Sequence, residues 1–116
     1  MIIKVFSSAM PYIVRLVQDA EMEPGASLEL PPRHASVLTI ALRVKTSGPV
    51  ILTVDERKNE GWEEKNREEF LEGVTLWEYR LSRPDFRVRL YNPSPVDGIT
   101  VTVDANIPQL TEASES

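Results

Sequence analysis

Apolar and polar residues alternate one by one along most of this chain, and no other feature of the sequence constrains the fold as strongly. The alternation is clearest in residues 36–45, and it returns in residues 50–54, 75–81, 86–90 and 99–103. Because successive side chains of a strand point to opposite faces, this period is typical of half-buried β-strands. The sequence therefore predicts an all-β protein.

The alternating segments are separated by residues that favour turns. Ser47-Gly48-Pro49 follows the first segment, and Ser82-Arg83-Pro84-Asp85 follows the third. Turn residues between two alternating runs are typical of a hairpin, so we predict two hairpins at these places. Asn92-Pro93-Ser94-Pro95 ends a strand, because proline cannot donate a ladder hydrogen bond.

The N-terminal third is less regular but is also strand-like. We predict strands near Ile2–Ser7, Tyr12–Gln18 and Ser27–Leu30, which gives about eight short strands in total. The expected fold is a single antiparallel β-sandwich, either a jelly roll or a related Greek key. It should span residues 1–107, with residues 108–116 as a C-terminal tail, since a chain of 116 residues suits one domain.

Residues 56–73 depart from the alternating pattern. They are rich in glutamate, with Arg57, Lys58, Lys65 and Arg67 interleaved. Mixed charges at this spacing are typical of a solvated surface rather than of a calcium site or a catalytic carboxylate pair. We predict a long charged loop that carries a short helix ended by Gly73, with a flexible hairpin tip as the alternative.

The alternation also predicts which side chains form the core, since a strand slipped by one residue would turn its apolar set outward. The expected core residues are Leu38, Ile40, Leu42, Val44, Val50, Leu52, Val54, Trp77, Tyr79, Phe86, Val88, Leu90, Ile99, Val101 and Val103.

Composition argues against several classes of function. There is no cysteine and only one histidine, His34, which lies in a predicted turn without a nucleophile motif. We therefore expect no enzyme, no cofactor and no metal site. The net charge of −5 argues against direct binding of nucleic acid. We expect neither a signal peptide nor membrane insertion, because the N-terminus lacks a basic start and no long apolar run occurs.

Several outward-facing residues are candidates for an interaction surface. Arg43, Lys45, Arg87 and Arg89 occupy the outward phase of their strands and would form one basic patch if those strands shared a sheet. Such a patch could face the acidic 56–73 segment of a neighbouring subunit, which favours a defined orientation.

Two aromatic and two aliphatic residues complete the candidate surface. Trp62 lies in the charged segment, and Tyr91 lies on the outward phase of its strand, so both rings are candidates for exposure. A flat exposed pair would suit a sugar ring. Ile107 and Leu110 are the large apolar side chains near the C-terminus, and we expect a neighbouring subunit to bury at least one of them.

Three stretches carry a resemblance to a known class of protein: Leu28-Glu29-Leu30-Pro31-Pro32, Pro49-Val50-Ile51-Leu52-Thr53-Val54-Asp55 and Phe86-Arg87-Val88-Arg89-Leu90-Tyr91-Asn92-Pro93-Ser94. Across residues 26–104 the layout resembles the small jelly-roll proteins of virus particles, especially those of phages and archaeal viruses. The resemblance implies trimers or pentamers that use their termini as arms. It implies no catalytic or binding residue.

Together, these observations predict a non-catalytic structural or interaction subunit of a multi-copy assembly, located in a virion or, alternatively, in the cytoplasm. The expected partners are copies of the chain or other virion subunits. The same strand rhythm occurs in carbohydrate-binding modules, so a glycan-binding module is the alternative function.

Overall fold

The computed structural model describes residues 5–10 and 12–114, and the side chains of residues 12–108. These residues form eleven strands and no helix. The strands are β1 (Val5–Met10), β2 (Ile13–Met22), β3 (Ser27–Glu29), β4 (Arg33–His34), β5 (Thr39–Thr46), β6 (Val50–Lys58), β7 (Gly61–Phe70), β8 (Gly73–Arg80), β9 (Asp85–Tyr91), β10 (Ile99–Asn106) and β11 (Gln109–Ser114).

Two antiparallel sheets pack into a sandwich. One sheet has the order β2-β10-β5-β8, and the other has the order β3-β9-β6-β7, with the short β4 also pairing with β9. Apart from β4, this arrangement of the strands is that of a jelly roll, which consists of two interlocked Greek keys. The predicted antiparallel sandwich is therefore confirmed.

The core lies between the two sheets, on the faces that the alternation predicted. Every residue of the predicted core belongs to one apolar cluster, in which Leu38, Trp77 and Tyr79 are partly buried. The two aromatic residues lie on β8, an edge strand, so one side of each is covered less completely. Phe70 packs on Trp77 with ring centroids 5.6 Å apart, which links the edges of the two sheets.

The two predicted hairpins are wrong. β5 and β6 belong to different sheets, and so do β8 and β9. Each turn therefore carries the chain across the sandwich rather than back along the same sheet. Packed sheets lie about 10 Å apart, a distance that three or four residues can span. Alternation determines which face of a strand is apolar, but it does not determine which strand lies beside it.

The predicted loop with a helix at residues 56–73 is also wrong. Residues up to Lys58 continue β6, and residues 61–70 return as β7 in a true hairpin whose turn includes Asn59 at φ 56°. β7 is an edge strand, so charged side chains can remain solvated along its length. Gly73 does not end a helix. Its φ of 121° turns the chain from β7 into β8 of the opposite sheet.

β1 and β11 form a separate antiparallel ribbon, from Val5 opposite Ser114 to Met10 opposite Gln109. At its base, Ile107 donates its N–H to the carbonyl of Tyr12 at 2.8 Å. The molecule measures 67 × 31 × 17 Å along its principal axes. The predicted boundary after residue 107 thus falls between β10 of the sandwich and β11 of the ribbon.

Candidate interaction surfaces

The four basic residues expected in one patch lie on two different sheets. Arg43 and Lys45 belong to β5, whereas Arg87 and Arg89 belong to β9. The condition for a shared patch was that the two strands lie in one sheet. Since they do not, the positive charges are separated by the whole thickness of the sandwich.

A buried carboxylate organises the outer face of the β3-β9-β6-β7 sheet. Asp55 is only 1% exposed, although it points away from the core. Arg89 donates from Nε to its Oδ2 at 2.6 Å and from Nη2 to its Oδ1 at 2.9 Å. Arg87 donates from Nε to Oδ2 at 2.8 Å. Both cations are therefore neutralised within the chain.

The ion pairs continue on both sides of this centre. Arg87 reaches Glu29 at 2.9 Å, and Arg89 reaches Glu64 at 3.1 Å. Arg67 also pairs with Glu64, at 3.2 Å. Charges of opposite sign thus connect β3, β9, β6 and β7, which holds their side chains in defined positions.

The protonation of this cluster follows from its contacts. Burial disfavours the charged form of Asp55, but the hydrogen bonds from Arg89 and Arg87 outweigh it and hold the pKa of Asp55 below its ordinary value. The hydrogen bond with Asp55 also raises the pKa of Arg89. Asp55 is therefore a charged structural group and a poor proton acceptor.

Trp62 and Tyr91 do not form one flat platform. The guanidinium carbon of Arg87 lies 4.7 Å from the Trp62 ring centroid, and that of Arg57 lies 5.5 Å from it. Trp62 therefore holds cations through its ring. Along β6, Trp62 lies opposite Arg57 and Tyr91 lies opposite Ile51, so about 20 Å of strand separates the two rings.

Tyr91 is 41% exposed and borders a shallow depression of about 440 Å³ on the same face. The polar residues that line this depression are Ser27, Glu29, Thr53, Arg67 and Arg89. Hydroxyl, carboxylate and guanidinium groups beside an exposed ring can hydrogen-bond and stack with a polar ligand. The depression is open to solvent, so it suits a weakly held ligand.

The outer face of the β2-β10-β5-β8 sheet carries a second carboxylate centre. Asp104 accepts a hydrogen bond from Arg15 at 2.8 Å and lies 3.6 Å from Arg43. The hydrogen bond from Arg15 lowers the pKa of Asp104, against the opposing effect of burial. Arg43 is thus partly neutralised, whereas Lys45 lies exposed beside Val74 of β8.

Two apolar side chains on this outer face were missed by the sequence predictions. Val74 is 53% exposed and Leu76 is 75% exposed, and both point outward from β8. The signal was present in the sequence, because Val74 and Leu76 are apolar and lie on the phase opposite to Trp77 and Tyr79. The inward phase, with Trp77 and Tyr79, was sufficient to predict a core strand.

His34 lies on β4, exposed, with its Nδ1 2.8 Å from Oδ1 of Asp85. Residues 5–10 and 12–114 contain no group of three or more histidine, aspartate or glutamate side chains able to hold a metal ion. In the same residues, no helix is long and apolar enough to cross a membrane.

The two C-terminal candidates have different positions. Ile107 is 2% exposed and lies in the core of its own chain, so it is not available to a neighbour. Leu110 lies on β11 opposite Ala9 of β1, and its side chain lies outside the described residues.

Comparison with known proteins relates this chain to others through its fold. No protein-family model matches it, and no curated protein matches its sequence. Among solved structures it is similar to the PBSX exported protein XepA, with a TM-score of 0.68 and 14% identity over 83% of this chain. It is also similar to PirA, with a TM-score of 0.53 and 12% identity over 76% of this chain.

The lengths of these chains limit what the likeness shows. This chain spans 36% of XepA and 90% of PirA. At such low identity, the similarity shows a shared β-sandwich fold.

Proposed function

We propose that the protein is a non-catalytic interaction subunit of a multi-copy assembly, located in a virion. The observation that carries this proposal is the β1–β11 ribbon. Among the described strands, these two pair only with each other, and a two-stranded ribbon is marginally stable in water on its own. An arm of this kind gains stability when it packs on a neighbouring subunit. This agrees with the expectation that the termini act as arms in an oligomer.

The fold and its relatives give further support. The jelly roll agrees with the sequence resemblance to small virion proteins, and XepA is named as an exported protein of PBSX. Since this chain spans about a third of XepA, the fold connects the two proteins without transferring a role. The virion location therefore rests on the resemblance together with the ribbon.

The charged groups support a non-catalytic role. Asp55 is committed to two arginines, and its lowered pKa disfavours proton transfer near neutral pH. The surface around His34 is lined by Pro32, Arg33, Arg57, Trp62 and Asp85, none of which has a hydroxyl or thiol group. A histidine–aspartate pair without a nucleophile does not make a catalytic triad.

The test compares the solution mass of the full chain with that of a variant lacking residues 108–116. We expect the full chain to form an oligomer. The variant should form an assembly of fewer copies, because it lacks β11. The variant should keep the thermal unfolding transition of the sandwich, which serves as the control for folding. A full chain that stays monomeric at high concentration, and is alone in its native context, would contradict the proposal.

Glycan binding is the second candidate, and the exposed ring of Tyr91 beside the polar depression favours it. In this case Tyr91→Ala should abolish binding on a glycan array, because the sugar loses its stacking partner. Tyr12→Ala removes another exposed ring, since Tyr12 is also solvent-accessible, and it should leave binding unchanged. Equal loss in both variants, or no glycan bound by the full chain, would count against this candidate.

A further inference from the structure

β8 forms a free edge of its sheet. The sheet order ends at this strand, and no described strand pairs with its outer side. Leu81, just after β8, donates its N–H to the carbonyl of Leu38 at 2.7 Å. Since antiparallel partners alternate in the direction of their backbone groups, the odd-numbered residues of β8 face β5. Val74, Leu76, Glu78 and Arg80 therefore direct their N–H and C=O groups to the free edge.

The β8 edge lacks the charged residues that protect the β7 edge of the other sheet from pairing with a further strand. β7, the corresponding edge of the opposite sheet, carries charged residues at most positions, which discourages pairing with another strand. On β8 the outward side chains of Val74 and Leu76 are exposed instead. An open backbone edge beside apolar side chains is suited to the addition of a strand.

The charges at the two ends of β8 are complementary to each other. Glu72 lies exposed just before the strand, and Arg80 lies exposed at its end. Within the described residues neither side chain has an ion-pair partner. When a strand pairs with an antiparallel copy of itself, the beginning of each strand lies beside the end of the other. Glu72 of each copy can then face Arg80 of the other.

We infer that two copies of this chain associate through β8, antiparallel, about a two-fold axis at Leu76. Leu76 then lies opposite Leu76 of the second copy, and Arg80 lies beside Glu72 of the second copy on both sides of the axis. Each four-stranded sheet continues into that of the other copy. The inference rests on the proposed multi-copy function. It names a second copy of the chain as the partner and β8 as a contact separate from the β1–β11 ribbon.

The neighbouring registers fit less well. An axis at Thr75 would place Glu72 opposite Glu78 of the second copy, and like charges in opposite positions are destabilising. An axis at Trp77 would place Leu76 opposite Glu78 of the second copy, which leaves the apolar side chains without apolar partners. Tyr79 opposite Gly73 also favours the axis at Leu76, because an aromatic side chain can cover a glycine on the facing strand.

Single cysteine variants test the register, because the chain has no cysteine of its own. In the inferred dimer the two Leu76 Cα atoms lie about 5.5 Å apart, within the range for a disulfide. Under mild oxidation, Leu76→Cys should form a disulfide-linked dimer. Val74→Cys alone should not form such a dimer, since its two copies lie about 13 Å apart. A mixture of Val74→Cys and Glu78→Cys should form a disulfide-linked mixed dimer, because residue 74 of one copy lies opposite residue 78 of the other.

Val96→Cys controls for random collision, because Val96 is exposed and lies outside β8, in the loop between β9 and β10. Cross-linking of Leu76→Cys at no more than the rate of Val96→Cys would overturn the inference. If the full chain still forms a larger species that depends on residues 108–116, the proposed function stands while the β8 contact fails. If both are lost, both proposals fail.

Charge exchange provides a second, independent measurement. Arg80→Glu and Glu72→Arg should each weaken dimerisation by about tenfold, since each places like charges together at two symmetric positions. The double variant restores opposite charges and should dimerise within about threefold of the natural chain. If the double variant is as weak as either single variant, the pairing of Glu72 with Arg80 is wrong.

Discussion

Asp55 points outward from β6, yet its side chain is buried because Arg87 and Arg89 of β9 close over it. The neighbouring Glu56 points inward and is fully buried in the core. The charge pattern predicted that Glu56 begins a solvated segment. It could not reveal the partners of Asp55 and Glu56, because the contacting residues lie 26 to 34 positions away in the chain and only the fold brings them together.

The pH dependence of stability tests the Asp55 cluster. The folded-state pKa of Asp55 lies below its unfolded value of about 3.9. Its contribution is therefore fully present above about pH 4 and is lost as the pH falls through the folded-state pKa. Asp55→Asn should lower the free energy of unfolding by about 1–3 kcal/mol at pH 7, and by less in acid.

Denaturant unfolding at several pH values measures this difference. Asp97→Asn is the control, because Asp97 is exposed, and it should remain close to the natural chain throughout. A loss of stability in Asp55→Asn that is the same at pH 7 and in acid would show that its carboxylate charge is not responsible.

The buried Glu56 depends on one small residue for its hydrogen bonds. Ser82 donates from its backbone N–H at 3.1 Å and from Oγ at 2.6 Å. Ser82→Ala leaves only the backbone donor, so the free energy of unfolding should fall by about 1–3 kcal/mol. Ser36→Ala, at an exposed position, should change little. Equal melting temperatures for the two variants would show that the Ser82 hydroxyl contributes nothing.

At the scale of the strands, the sequence predicts faces better than it predicts neighbours. The inward sets of β5, β6, β9 and β10 follow directly from alternation, which is a local property of each strand. Pairing depends on contacts between distant parts of the chain. Short turns permit both a hairpin and a crossing between sheets, so both predicted hairpins are wrong. The hairpin at residues 58–61 was predicted only as the alternative for residues 56–73.

Substitutions of two leucines on adjacent strands can distinguish a core position from a surface position. Leu42 on β5 is fully buried, whereas Leu76 on β8 is largely exposed. Leu42→Ala should lower the free energy of unfolding by about 2–5 kcal/mol through lost burial and the cavity that remains. Leu76→Ala should change it by less than about 0.5 kcal/mol in the monomer. Similar losses in both variants, measured by denaturant unfolding, would contradict this assignment of the core.

At the scale of the whole molecule, the β1–β11 ribbon makes the protein more elongated than its sandwich. A domain of this length has an expected radius of gyration of about 13 Å, whereas the observed value is 16.8 Å. The residue pattern predicted a strand near Ile2–Ser7, whereas residues 108–116 were expected to form a tail. The pairing of the two was not predictable, because it joins opposite ends of the chain.

Hydrogen exchange can determine whether the ribbon acts as an assembly arm. In dilute protein the amides of β1 and β11 should exchange much faster than those of β5 and β10, because a two-stranded ribbon opens at low cost whereas core strands open only with global unfolding. In the assembled state the ribbon amides should become protected while those of β10 stay unchanged. Ribbon amides that are already protected like core amides in a monomer would show that the ribbon is stable without a neighbour, and this would remove the main support for its role in assembly.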